Sequence, residues 1–179
     1  MKRAAAPPRR APRSSLSPHC RKDDPMAMQK ILLPYNFTPL DGRALKFVSE
    51  TFGPPRDAEV TLLHLFTPPP RVETMDSLVT GKLKGSLAQI SQEVAQLEAR
   101  LEDVRGLLVE RGFAPGRVKA VFAPRRKDIA EEIIEQVARF QFDVVVLNRR
   151  TGRVTRFFSG SVSQKVLAAL SDTTVCVVC

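Results

Sequence analysis

Gly160-Ser161 stands directly before an apolar-periodic run, Val162, Val166, Leu167 and Leu170, that reads as a helix. Upstream, Phe142-Asp143 opens onto Val144-Val145-Val146-Leu147, the pattern of a strand buried on both faces. Between them lies a polar loop with Asn148, Arg149, Arg150, Arg153 and Arg156. Strand, loop, Gly-Ser and helix start is a geometry that receives an anion. The first turn of a helix has free backbone N–H groups and the positive end of its dipole, and glycine lets a ligand approach the backbone. The arginines have two readings. Guanidinium groups can hold phosphate bidentately, or the run can be a solvated rim that docks a protein.

Other chemistry is thin. Asp128, with Glu131 three residues later, reads as a helix cap, and Asp143 as a strand-entry residue. His64 lies inside an apolar run with no second His or Cys at ligand spacing, so it reads as a core histidine. Cys176 and Cys179 have redox-motif spacing, but positions i and i+3 of a strand point to opposite faces. With Cys20 the count is odd, so no disulfide framework is expected. No Walker motif, no Ser-His-Asp set and no clustered metal ligands occur, and the chain is read as a non-enzyme.

The elements that must position Gly160 begin at Ile31-Leu32-Leu33, a short buried strand ended by Pro34. Thr38-Pro39-Leu40-Asp41 is a helix start, with a capping threonine, proline at the first helical position and an acid three residues after the cap. Ala44, Leu45, Val48 and Phe52 form its inner face, and Gly53-Pro54-Pro55 stops it. Val60 to Phe66 is a second strand. The longest element follows. Leu83, Leu87, Ile90, Val94, Leu97, Leu101, Val104 and Leu108 alternate spacings of four and three, and Gly112 marks the stop. Such a helix exceeds a six-residue strand of about 20 Å, so its N-terminal end is expected to overhang the sheet, with a second subunit as the alternative cover. Val118 to Phe122 is a third strand, Ile129, Ile133, Ile134 and Val137 line a third helix, and Val175 to Cys179 is the last strand.

This alternation predicts an α/β fold, a doubly wound parallel sheet with right-handed crossovers. Ligands then bind beyond the C-terminal strand ends, where the strand order reverses. Three loops occupy that rim: Tyr35–Thr38, Ala123–Lys127 and Asn148–Ser159.

Lys30-Ile31-Leu32-Leu33-Pro34, Val144 to Leu147, Arg149-Arg150, Gly160-Ser161-Val162-Ser163 and the closing strand resemble the universal stress protein family, over roughly Met28 to Cys179. The resemblance implies a five-stranded sheet of order 3-2-1-4-5, adenine-nucleotide alpha-hydrolase-like. It also implies a cytoplasmic stress-response regulator and a homodimer through Val175–Cys179. ATP-binding members carry G-x2-G-x9-G-[S/T] after the fourth strand. Here Gly160 and Ser161 match its end, but Leu147 and Arg150, or with one deletion Asn148 and Thr151, stand at the earlier glycines. The family's aspartate after the first strand is Asn36, which keeps an acceptor but loses the charge. The resemblance therefore implies an ATP or other adenine-nucleotide site made by Pro34, Tyr35, Asn36, Asn148, Arg149, Arg150, Gly160, Ser161 and Ser163. The alternative is a ligand-free protein–protein interaction module with a degenerate site.

The net charge of +9 is misleading as a sign of nucleic-acid binding. Residues 1–28 hold seven Lys and Arg and two Asp, a net of +5, which leaves +4 for the remainder. Residues 1–27 read as a disordered, basic, Pro-rich extension and residues 28–179 as the domain. No apolar run reaches membrane-spanning length, and neither a membrane nor a nucleic acid is an expected partner.

Overall fold

Ile31, Leu32 and Leu33 are each at most 1% exposed, as in a strand covered on both faces. In the computed structural model, which describes residues 28–68, 80–148 and 162–179, they belong to β1, Gln29–Pro34. The chain continues through α1 (Pro39–Phe52), β2 (Ala58–Phe66), α2 (Thr80–Glu110), a 3-10 turn and β3 (Val118–Pro124). Then follow α3 (Ile129–Phe140), β4 (Val144–Asn148), α4 (Val162–Ala169) and β5 (Thr174–Val178). All strand pairs are parallel and the order is β3-β2-β1-β4-β5. The expected order 3-2-1-4-5 is therefore the observed one, and the reversal falls between β1 and β4.

The two faces have separate cores. Ile31, Leu33, Val60, Leu62, Val144 and Val146 pack with α1 and α2, while Leu32, Leu63, Val145 and Leu147 pack with α3 and α4. At about 25 cal/mol per Å², each of these fully buried side chains contributes roughly 1.5–3 kcal/mol.

α2 is longer than its stripe suggested: 31 residues, or about 46 Å. Leu101, Val104 and Leu108 are buried in the core, whereas Ile90, Val94 and Leu97 are only half-buried. Cover along the described stripe thus falls off towards the N-terminus, in keeping with the expected overhang. The helix ends in a Schellman motif: Gly112 (φ +100°) donates to the Val109 carbonyl at 2.9 Å, and Phe113 donates to that of Leu108 at 3.2 Å. A side chain at Gly112 would be strained in that left-handed backbone.

Three details differ from the sequence reading. Glu131 does not partner Asp128; the buried acid is Glu132, which accepts from the N–H groups of Arg126 (2.8 Å) and Lys127 (2.9 Å) and so shapes the loop after β3. Leu167 is 50% exposed, because Val162, Val166 and Leu170 already occupy the inner face of the short α4. Cys179 lies beyond β5 and is exposed, while Cys176 packs against the α1–α2 core and burial pushes its thiol pKa up. Asp143 is a strand-entry residue as read. It donates its N–H to the Lys30 carbonyl and accepts the Lys30 N–H, both at 2.9 Å, tying the starts of β4 and β1 together.

Candidate functional site

The C-terminal ends of β1 and β4, where the strand order reverses, are tied together by Asp41. This residue is the third of α1 and is fully buried. A lone carboxylate there would be costly; four donors remove that cost. Its Oδ2 accepts the Thr38 N–H (2.6 Å), the Thr38 hydroxyl (2.8 Å) and the Asn36 N–H (3.2 Å), and its Oδ1 accepts the side-chain amide of Asn148. The predicted capping box between Thr38 and Asp41 is thus present. The same acid also clamps the end of β4, 107 residues away in the chain.

The loop Tyr35–Thr38 turns sharply because Phe37 adopts a left-handed backbone, φ 57°. A bulky aromatic is disfavoured there. Packing holds it: the Phe37 ring lies 5.4 Å from Tyr35 and 5.0 Å from His64, and Arg100 of α2 sits 4.5 Å above its face. The row continues across the sheet, from His64 to Phe122 (5.2 Å) and from Phe122 to Phe66 (4.7 Å). His64 is the expected core histidine. Its Nδ1 lies 2.7 Å from the Tyr35 carbonyl, and since a carbonyl only accepts, Nδ1 carries the proton. Burial, and then the nearby Asp41, raise the pKa of the Tyr35 phenol. Beside this row a cleft of about 430 Å³ opens between α1 and α2, lined by Tyr35, Phe37, Thr38, Arg100 and Asp103.

Ser163 is half-buried in the first turn of α4. Lys165 of the same helix donates at 2.9 Å to Asp128, at the start of α3, and holds that carboxyl below its ordinary pKa. Both side chains are exposed, so this tie between α3 and α4 is weak.

Of the residues expected at the site, Pro34 ends β1, Tyr35 is buried beneath the loop, Asn36 has an exposed side chain, and Asn148 ends β4. The fold places these four at the C-terminal ends of the neighbouring strands β1 and β4. Arg149, Arg150, Gly160 and Ser161 lie outside the described residues, as does the 1–27 extension. Sequence reasoning treated Asp41 only as a cap and passed over Phe37, Arg100 and Glu132. The capping position flagged Asp41, but nothing local announced its tie to Asn148.

The model of the universal stress protein family matches residues 28–178. The chain belongs to the universal stress protein family. Among solved structures, the hypothetical protein MJ0577 aligns at 22% identity with a TM-score of 0.61, covering 84% of this chain and 94% of that one. A universal stress protein in complex with cAMP aligns at 14% identity and a TM-score of 0.59, covering 86% and 98%. The universal stress protein of Archaeoglobus fulgidus in complex with dAMP aligns at 14% identity and a TM-score of 0.55, covering 86% and 99%. No curated protein matches the chain by sequence. As a universal stress protein it has the family's doubly wound sheet, and no helix among the described residues is long and apolar enough to cross a membrane.

Proposed function

We propose that this universal stress protein is a non-enzymatic, cytoplasmic stress-response regulator that binds an adenine nucleotide, ATP among the candidates, in the β1–β4 crevice. The observation that carries the reading is the preformed wall at the strand reversal, where Asp41 holds the Tyr35–Thr38 loop and Asn148 in one fixed arrangement. Relatives of the same fold have been solved with cAMP and with dAMP, which supports an adenine ligand here. The exposed Asn36 side chain stands at that wall, an amide suited to a nucleoside's hydroxyls or base. Gly160 and Ser161, before α4, are the residues to hold phosphate. Protein purified without added nucleotide, then denatured, is expected to release an adenine nucleotide on ion-exchange chromatography. Gly160→Val is expected to abolish binding in calorimetry while leaving the melting curve intact. No release, and no heat with ATP, ADP or AMP up to millimolar ligand, would shift the weight to a ligand-free interaction module.

The regulator acts as a homodimer in this reading. β5 is a sheet edge, its five residues Thr174–Val178 carry no charge, and Val175 to Val178 are half-buried rather than covered. An uncharged edge strand needs a partner, and a second copy is the natural one. Light scattering at micromolar concentration is expected to give twice the chain mass; a monomer sinks this part of the proposal.

A further inference from the structure

We infer that the cleft between α1 and α2 is a second ligand site, separate from the strand reversal, and that it takes a free α-amino acid, with the carboxylate on Arg100 and Tyr35 and the ammonium on Asp103. The inference does not depend on the nucleotide reading above. The lining of this cleft, about 430 Å³, includes no residue of β4 or α4, and neither Asn36 nor Asn148.

Three polar side chains on its wall are unpaired among the described residues. Tyr35 is only 9% exposed, yet its hydroxyl has no hydrogen-bond partner there. No fully buried side-chain oxygen among those residues lacks a partner, so this hydroxyl opens onto the cleft that Tyr35 lines. Burial, and then Asp41, raise its pKa, which keeps it a neutral donor. Arg100 lies 4.5 Å above the Phe37 ring and makes no hydrogen bond or salt bridge, so the N–H groups along the edge of its guanidinium are open. Asp103 stands three residues further along the same face of α2, but the two form no ion pair. The Phe37 ring holds the guanidinium, and the carboxylate is left without a cation.

A guanidinium edge and a phenol O–H together fit a carboxylate. The carboxylate of Asp103 on the same wall repels a simple anion and attracts an ammonium. A simple cation is repelled by Arg100 in turn. A small zwitterion satisfies both charges at once. Phe37, Pro39 and Val104 offer apolar surface to its side chain, and the volume lies near the small end of ligand pockets, roughly 300–1,000 Å³.

The test is calorimetry on the full chain with leucine, phenylalanine and glutamine, each set against its amide, which lacks the carboxylate, and its deaminated acid, which lacks the ammonium. Arg100 and Asp103 are exposed, so Arg100→Gln and Asp103→Asn are expected to melt as wild type does. At least one of the amino acids is expected to bind with a Kd below about 1 mM, and its amide and deaminated acid about tenfold or more weaker. Arg100→Gln is expected to weaken the amino acid about tenfold or more and its amide little; Asp103→Asn should weaken the amino acid as much and the deaminated acid little. Tyr35→Phe is expected to weaken the amino acid severalfold. Arg100→Gln protein should still release as much adenine nucleotide as wild type. No heat from any of the amino acids up to about 10 mM, analogues that bind as well as their parents, or variants that bind as well as wild type overturn the site and leave the nucleotide reading standing. Displacement of the amino acid by ATP would merge the cleft with the strand reversal and also overturns it. Amino-acid binding without any nucleotide release supports the cleft and refutes only the nucleotide reading.

Discussion

Replacing Asp41 by alanine is expected to cost about 3 kcal/mol of folding free energy, a large share of the total for a domain of this size. The change strands the N–H groups of Asn36 and Thr38, the Thr38 hydroxyl and the Asn148 amide at once. Each orphaned buried group costs about 1–3 kcal/mol, and the cap adds about 1 kcal/mol. The figure is held near 3 because the Asn36 side is exposed and water can replace part of the loss. Thr38→Ala should cost only about 1 kcal/mol, since its backbone N–H keeps the carboxylate. Urea denaturation of the three chains checks both numbers; a loss below 1 kcal/mol for Asp41→Ala would mean that the acid is a surface cap and not the hub of the crevice.

Along α2, Leu108→Ala is expected to cost about 3 kcal/mol, against less than about 1 kcal/mol for Val94→Ala. Both residues belong to the same heptad stripe, and both lose apolar volume. They differ in cover: Leu108 is fully buried against the sheet and under the Schellman turn, whereas Val94 is half-buried on the overhanging half. Denaturant midpoints at several protein concentrations would measure the two. Equal costs, with Val94→Ala more damaging at high concentration, would mean that a second copy covers the overhang in solution.

How much of this was legible varies from residue to residue. The strand at Val144 to Leu147 was plain because a short apolar run with three β-branched valines suits a doubly covered strand. Thr38, Pro39 and Asp41 announced the start of α1 because capping needs donors and acceptors within one turn. Glu132 was missed in favour of Glu131 because the capping-box spacing describes the first turn alone. Which of two adjacent acids turns inward depends on the loop that α3 must close over. Leu167 was counted as inner face because periodicity allows four apolar positions on a helix, but an eight-residue helix lying on α3 and the sheet buries only a narrow stripe.

The amino-acid sequence by itself determined the order of strands and helices, the two-sided sheet, the start of α1 and the end of α2. All of these arise from periodicity, capping and turn chemistry, which act over a few residues. Only the tertiary structure decided that Asp41 faces Asn148 and that Arg100 covers Phe37. Those facts depend on how the β1 and β4 ends meet at the strand reversal. A hydrogen bond across 107 residues leaves no local trace, because either partner alone would satisfy itself with water.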